Sequence, residues 1–177
     1  MNKGIFKSSG EWLYFSGSGD VLKNNSVLKT IFAKKYTDDI SLISGKIIYE
    51  GDTKPFIYKN NKMIKNPSWN FFMWIRNGLH HQGTFYKKDL FKNYKYNLKY
   101  PILSDYWFNI LLFKNNVRCL LIDVFVANCN SDGLSKIGSW SNYKEEINLK
   151  TALSSKLFTP LFYIVISIKF FLRQISK

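Results

Sequence analysis

Cysteine is scarce in this chain, and its scarcity excludes two classes of small protein. The 177 residues include 2 cysteines, Cys119 and Cys129, too few for a disulfide scaffold or a cysteine-based zinc site. Both lie in one predicted extended stretch, where ten residues of strand span roughly 33 Å, far beyond the reach of a disulfide. We therefore expect two reduced thiols in a cytosolic protein.

Acidic residues and arginine are also scarce. The chain has 12 Asp and Glu against 26 Lys and Arg, which gives a net charge of +14, yet its only arginines are Arg76, Arg118 and Arg173. Recognition of nucleic acid relies heavily on guanidinium groups, and the lysines here are scattered along the chain. We expect no nucleic-acid partner. A diffuse positive field suits an anionic membrane surface or an anionic small substrate.

No apolar run of the kind found in a secretory signal peptide opens the sequence, so secretion is not expected. The length suits one domain, and 46% hydrophobic with 18% aromatic residues excludes wholesale disorder and supplies a packed core. We place that domain over residues 1–153 and a separate C-terminal helix over 154–177.

Short apolar runs alternate with segments of helical spacing, which predicts an α/β fold class. Helices are predicted over 1–9, 26–35, 87–94, 104–113 and 143–153, and the aromatic stretch after Pro67 is also predicted to be helical. Strands are predicted over 12–15, 40–44, 46–49, 82–86 and 119–127. A loop is predicted at Gly17–Asp20 and a turn at Asp132-Gly133. A second turn, at Asn60-Asn61, is predicted to join the strands 56–58 and 63–64 of a hairpin.

The C-terminal run 157–177 is apolar but interrupted. Its longest uninterrupted part is Leu161–Ile168, and Lys169 and Arg173 interrupt the apolar residues after it. Because a spanning helix needs about 20 apolar residues, we expect this run to be too short to cross a membrane. An amphipathic helix on the membrane surface, with Lys169 and Arg173 reaching the headgroups, is predicted instead. The alternative is a helix that packs on a half of the domain that the chain lacks.

Four stretches occur in an order and spacing that resemble a known family. They are MNKGIFKSSGEWLYFSGSGDVL (1–22), HHQGTFYKKDLF (80–91), SDYWFNILLF (104–113) and VFVANCNSDGLSK (124–136). Together they resemble the cytoplasmic family 2 glycosyltransferases of bacterial polysaccharide synthesis, which have the GT-A fold. The resemblance covers roughly residues 1–150, and it implies a Rossmann-like mixed sheet with flanking helices.

In that family, a nucleotide-binding half precedes the helix that corresponds to MNKGI. Because Met1 is the first residue of this motif, the resemblance implies an incomplete GT-A domain without the strands that hold base and ribose. We expect little or no transferase activity from such a chain by itself.

The resemblance assigns a metal site to Asp20, the last residue of the family's short acidic motif. A carboxylate there would hold Mn²⁺ or Mg²⁺ against the leaving diphosphate. Gly17 and Gly19 stand where relatives often have further acidic or amide residues, so weaker metal affinity is expected. The alternative is that Asp20 caps the following helix.

The resemblance also makes Asp105 the general base, which takes the proton of the acceptor hydroxyl in an inverting transfer. The alternative is a first-turn aspartate favoured by the helix dipole. His81 and Gln82 align with a family pair that would bind the diphosphate or the acceptor; the alternative is a structural role. His80 is expected to point away from His81, because neighbours in a strand face opposite sides.

Other residues have weaker assignments. Trp69, Trp74 and Trp107 would stack on a sugar ring or, alternatively, belong to the core. The segment 131–135 would cover the acceptor side or form an ordinary turn, and Lys136 beside it would meet a phosphate.

The predicted function is transfer of a sugar from a nucleotide-sugar donor to a lipid-linked or saccharide acceptor in surface polysaccharide synthesis. The reaction would be inverting and metal-dependent, at the cytoplasmic face of the cell membrane. The alternative is a truncated, non-catalytic GT-A-like chain that acts as a binding or partner module.

Overall fold

The computed structural model describes residues 1–51, 63–130 and 138–175. Its helices are α1 (Asn2–Lys7), α2 (Val27–Phe32), α3 (Leu90–Asn93), α4 (Ser104–Lys114), α5 (Trp140–Leu153) and α6 (Thr159–Ile175). Its strands are β1 (Trp12–Tyr14), β2 (Val21–Leu22), β3 (Ile40–Glu50), β4 (Ile64–Lys65), β5 (Thr84–Lys87) and β6 (Arg118–Asn130). Short 3₁₀ turns lie at Phe71–Trp74, His81–Gly83 and Lys156–Phe158. The predicted α/β class is confirmed, together with an apolar C-terminal helix.

The strands form one curled mixed sheet in the order β1-β5-β3-β6-β2, with β4 paired to β3. The long central strands β3 and β6 run parallel, whereas the other pairs are antiparallel. Because side chains alternate across a sheet, neighbouring residues of β3 face opposite layers. Leu42 packs in one cluster with Phe108 of α4, and Ile43 packs in another with Ile31 of α2. Helices therefore cover both faces.

Gly45 lies inside β3, although the sequence predicts two strands that it separates. A Cβ at this position would stand 2.6 Å from the Val124 carbonyl oxygen and 2.7 Å from Val126 Cγ2. The absence of a side chain lets β6 approach here, and the β3–β6 register shifts around this point. The glycine therefore marks an irregularity within one strand.

Two other predicted elements are shorter than expected. The aromatic stretch after Pro67 forms only the turn Phe71–Trp74, because the Ser68 amide donates to the Gly78 carbonyl and closes the segment into a loop. The strand predicted over 82–86 begins at Thr84, since His81–Gly83 form a turn. The predicted turn at 132–133 and most of the predicted hairpin at 56–64 lie outside the described residues. The end of that hairpin is described, and it forms β4, which pairs with β3.

Helix α6 packs on α5, with Ile166 fully buried against Tyr143 and Ile147. The segment Lys156–Ile175 is long and apolar enough to cross a membrane, judged by length and composition alone, and 6% of its 18-residue apolar window is buried. The sequence led us to expect a shorter segment. The difference arises because Lys169 does not interrupt the helix, which continues through it to Ile175.

A buried ion cluster joins α6 to the domain. Glu146 of α5 accepts from Lys150 Nζ at 2.7 Å and from Lys169 Nζ at 2.8 Å. Lys150 also donates to the Ile75 carbonyl at 3.3 Å. The expectation that Lys169 reaches membrane headgroups is therefore wrong. Its ammonium group turns towards the domain, because the buried Glu146 carboxylate needs a positive partner.

Candidate active site

Asp105 lies in the first turn of α4, where its carboxylate is held from two sides. Oδ1 accepts from the Tyr106 amide at 2.8 Å, and Oδ2 accepts from Asn77 Nδ2 at 3.3 Å. Asp105 is also the acidic residue of the first turn of α4, where the helix dipole favours a negative charge. At 21% exposure, the side chain is sheltered but still accessible to a ligand.

His81 lies next to this carboxylate, with Nδ1 3.5 Å from Asp105 Oδ2. Within the ranges that the structure describes, His81 Nδ1 has no hydrogen-bond partner, and the same is true of Gln82 Oε1; both atoms are buried. Buried polar atoms in proteins are nearly always hydrogen-bonded. One such atom beside Asp105, with a second on the next residue, therefore indicates a place for a polar ligand.

Asn77 and Asn109 also belong to this site, and the sequence analysis missed both. Asn109 of α4 is fully buried and donates to Asn77 Oδ1 at 3.1 Å, while the Tyr86 hydroxyl donates to Asn109 Oδ1 at 3.2 Å. Burial, with a smaller contribution from the negative charge of Asp105, raises the pKa of Tyr86 well above its usual value, so the hydroxyl remains a donor. An asparagine inside an otherwise apolar helix was the available signal for Asn109.

Asp20 closes the loop between β1 and β2. The Gly17 amide donates to Asp20 Oδ2 at 2.8 Å, and the Asp20 amide donates to the Gly17 carbonyl at 3.2 Å. The alternative of a helix cap is wrong, because α2 begins at Val27 with Ser26 as its N-cap. Oδ1 accepts no hydrogen bond from the part of the chain that the structure describes.

Tyr14 connects Asp20 with the His81–Gln82 turn. Its hydroxyl donates to the Gln82 carbonyl at 2.9 Å. Burial raises the pKa of Tyr14 above its usual value, and the nearby Cys129 thiol and Asp20 carboxylate raise it further. Tyr14 therefore contacts the Gln82 backbone and lies near enough to Asp20 to be influenced by its charge.

The described residues contain no group of three or more His, Cys, Asp or Glu side chains that could hold a metal. A metal at Asp20 therefore depends on ligands from a substrate. The free Oδ1 atom is a hard oxygen donor of the kind that Mn²⁺ and Mg²⁺ prefer, and diphosphate oxygens would supply other ligands. Asp20 could therefore hold a metal only as one ligand among several, with the others coming from a diphosphate.

The remaining sequence candidates lie elsewhere or in the core. His80 contacts the Tyr49 hydroxyl through Nδ1 at 3.0 Å, whereas His81 lies beside Asp105; the two have different partners as expected, but from a turn and not from the predicted strand. The three tryptophans pack among partly buried core residues, which supports their core alternative: Trp69 against Phe113, Trp74 against Phe162 and Trp107 against Tyr100. The segment 131–135 and Lys136 lie outside the described residues.

Comparison with known proteins gives a consistent class. The chain is 27% identical over 170 residues to proteins named PGL/p-HBAD biosynthesis glycosyltransferase from Mycobacterium bovis (strain BCG / Pasteur 1173P2) and from Mycobacterium tuberculosis (strain ATCC 25177 / H37Ra). The match covers 89% of this chain and 60% of each relative, so the chain spans about three-fifths of their length. No protein-family model and no solved structure matches.

These relatives are named glycosyltransferases, enzymes that move a sugar from a donor to an acceptor, and the similarity supports that class for the chain.

Proposed function

We propose that the chain carries the acceptor-side and metal-holding parts of a family 2 glycosyltransferase with a GT-A fold. The donor is a nucleotide sugar, and the acceptor is a lipid-linked or saccharide molecule in surface polysaccharide synthesis. The enzyme works at the cytoplasmic face of the cell membrane. The observation that carries the proposal is the Asp105 carboxylate 3.5 Å from His81 Nδ1, a buried atom without a hydrogen-bond partner in the described residues, with a second such atom, Gln82 Oε1, on the next residue.

Asp105 acts as the general base of an inverting transfer. As the acceptor hydroxyl oxygen forms a bond to the anomeric carbon, its proton passes to a carboxylate oxygen of Asp105, and the bond to the donor diphosphate breaks. Asn77 and the Tyr106 amide hold the carboxylate, so it needs little rearrangement to receive the proton.

His81 and Gln82 orient the substrates through hydrogen bonds. His81 Nδ1 and Gln82 Oε1 would find in a sugar hydroxyl or a diphosphate the partners that they lack. Asp20 would hold Mn²⁺ or Mg²⁺ through Oδ1; when bound, this ion neutralises charge on the leaving diphosphate. With a single carboxylate, Asp20 would hold such an ion firmly only together with the nucleotide.

The test compares the 177-residue chain with a fusion that adds the part of a mycobacterial relative that the chain does not cover. Both are assayed for nucleoside diphosphate release with UDP-, GDP- and dTDP-sugars and a panel of lipid-linked and saccharide acceptors. We expect little turnover by the chain alone and transfer by the fusion. In the fusion, Asp105→Asn should lower the rate by about 10²–10⁴-fold, because Asn cannot accept the proton.

The matched control is Asp123→Asn, which removes an exposed carboxylate of β6 whose partner is Lys46. It should leave the rate unchanged. A rate for Asp105→Asn within about threefold of wild type would contradict the base assignment and leave Asp105 its helix-dipole role. A fusion that binds no donor and transfers no sugar would favour the non-catalytic partner module.

A further inference from the structure

One face of α6 carries a continuous apolar stripe that the rest of the described chain leaves uncovered. Every side chain of the stripe is more than half exposed. Its members follow helical spacing: Leu161, Ile164, Ile168, Phe171, Leu172 and Ile175. The opposite face holds Ile166 and Lys169, which contact α5. Exposed apolar patches of this kind mark surfaces that meet a partner protein or a membrane.

A second exposed apolar group lies at the turn Phe71–Trp74, which contacts α6 through Phe162, the residue after Leu161 of the stripe. Trp74 stacks on Phe162 of α6 with ring centroids 6.4 Å apart and planes inclined by 12°. The turn that ends at Trp74 exposes Phe71 and Phe72, and Ile75 follows it. We call this turn, Ile75 and the α6 stripe together the docking surface.

The charges around the docking surface are positive. Arg76 and Lys156 are exposed, and neither forms an ion pair within the described ranges. The segment 156–175 contains no acidic residue. Glu146, which lies beneath α6, is buried and already paired with two lysines. A symmetric contact between two copies would bring these like charges together, whereas an anionic bilayer suits both the apolar area and the charge.

We propose that the docking surface binds the headgroup region of an anionic bilayer, with α6 lying along the membrane rather than crossing it. The contacts of α6 with α5 are the reason to expect that α6 lies along the membrane. A spanning helix would have to expose Ile166 and separate Lys169 from Glu146. A helix that lies flat keeps both contacts and buries only the free stripe.

This orientation brings the membrane close to Asp105. The Tyr106 hydroxyl donates to the Met73 carbonyl of the turn at 2.9 Å, and Asn77, which lies just after the turn, binds Asp105. An acceptor that reaches Asp105 from this side comes from the bilayer. This step rests on the proposed function, and it selects a lipid-linked acceptor over a soluble saccharide.

Vesicle flotation of the full chain tests the docking. We expect binding to vesicles of equal parts phosphatidylcholine and phosphatidylglycerol, weaker binding to phosphatidylcholine alone, and release by salt and by alkaline carbonate. Ile164→Ser with Ile168→Ser, and separately Phe71→Ser with Phe72→Ser, should each weaken binding by about tenfold or more, because each pair removes buried apolar area. Arg76→Gln should weaken it about fivefold, the equivalent of roughly 1 kcal/mol per basic residue.

The matched controls are Phe6→Ser and Leu98→Ser, which change side chains that are 83% and 84% exposed outside the docking surface. Both should float like wild type. No flotation of wild type, equal losses in the controls, or normal flotation of the Phe71/Phe72 variant would each overturn the proposal. Binding that resists carbonate would show a spanning helix, and a dimer broken by the Ile164/Ile168 variant would show a second copy as the occupant; either overturns it.

The flotation result is independent of sugar transfer. Asp105→Asn should float like wild type whether or not it abolishes transfer. Failure of docking and failure of the proposed base are therefore separate outcomes.

Discussion

At the residue scale, the candidate site is a chain of polar contacts that starts in the core and ends at Asp105. The Tyr86 hydroxyl binds Asn109, Asn109 binds Asn77, and Asn77 binds the Asp105 carboxylate. Because Asn109 is fully buried, its amide has no water to replace a lost partner. The position of Asp105 therefore depends on residues that do not touch a substrate.

Replacing Asn109 by Leu should lower the free energy of unfolding by about 1–3 kcal/mol, since the Tyr86 hydroxyl and Asn77 lose a buried partner. Urea unfolding measures this change. Asn115→Leu is the control, because Asn115 is an exposed residue after the end of the same helix that donates to the Leu111 carbonyl. A surface change of that kind should stay within about 0.5 kcal/mol. Equal effects of the two substitutions would contradict the buried network.

At the scale of elements, two close approaches hold the layers together. One is the pairing of β3 with β6 across Gly45, and the other is the contact of α6 with α5 through Glu146. Each contact depends on the chemistry of one residue, Gly45 in the first and Glu146 in the second. A glycine leaves room for a neighbouring backbone, and a buried carboxylate binds two ammonium groups that packing brings to it.

Gly45→Ala should destabilise the protein by about 1–3 kcal/mol, because its Cβ would collide with the Val124 carbonyl and Val126. Gly4→Ala in α1 is the matched control, since a Cβ there meets nothing within 4 Å. Alanine should stabilise α1 by roughly 0.5–1 kcal/mol. Thermal unfolding of the two variants compares them. A Gly45→Ala protein as stable as wild type would show that β6 is free to move away.

Glu146→Gln should destabilise the protein by about 3–5 kcal/mol at neutral pH, because Lys150 and Lys169 lose the charge that compensates theirs. Burial works to raise the pKa of Glu146, but Lys169 and Lys150 overcome it and hold this pKa below its usual value of 4.5. As pH falls, the unfolded chain binds the proton first, so the stability from Glu146 is present above pH 4.5 and is lost as pH falls through the lower folded value.

The measurement is urea unfolding of wild type and Glu146→Gln at neutral pH and at a pH well below 4.5. The difference between the two proteins should shrink at the lower pH. Glu145→Gln serves as the control, since glutamine can still accept the hydrogen bonds from the Ile102 and Leu103 amides. A difference that stays constant with pH would mean that Glu146 contributes no charge to the cluster.

At the scale of the whole molecule, the reactivity of the two thiols can be used to follow unfolding of the sheet. Cys119 and Cys129 form no disulfide and lie near opposite ends of β6, as expected for reduced cysteines. Cys119 is partly exposed, but desolvation of its thiol raises the pKa of Cys119 to about 12, so little reactive thiolate forms at neutral pH. Cys129 is buried in the cluster that includes Ile43 and Val126.

Both thiols should therefore resist a thiol reagent in the folded protein and react together once urea unfolds the sheet. Mass spectrometry of labelled peptides across a urea series gives the two midpoints. They should coincide with each other and with the loss of circular dichroism. Labelling of Cys119 well before Cys129 would show that β6 frays at its start independently of the rest.

The sequence by itself determined the fold class and most strands and helices, and it proposed four residues of the candidate site, Asp20 among them. Alternating apolar residues and helical spacing are local properties, so β1, β5, β6 and α4 are predictable from neighbours along the chain. Asp105, His81 and Gln82 were singled out because short motifs surround them. That Asp105 and His81 lie together in space is a consequence of the pairing of distant strands.

Only the tertiary structure decided which distant groups meet. Asn77 and Asn109 are 32 positions apart, and Lys169 is 23 positions from Glu146. No local pattern marks such pairs, because a buried polar group takes whichever partner packing brings near it. Gly45 is a further case in which a distant partner decides. The local pattern predicts a break at this glycine, whereas pairing with β6 makes it part of one strand.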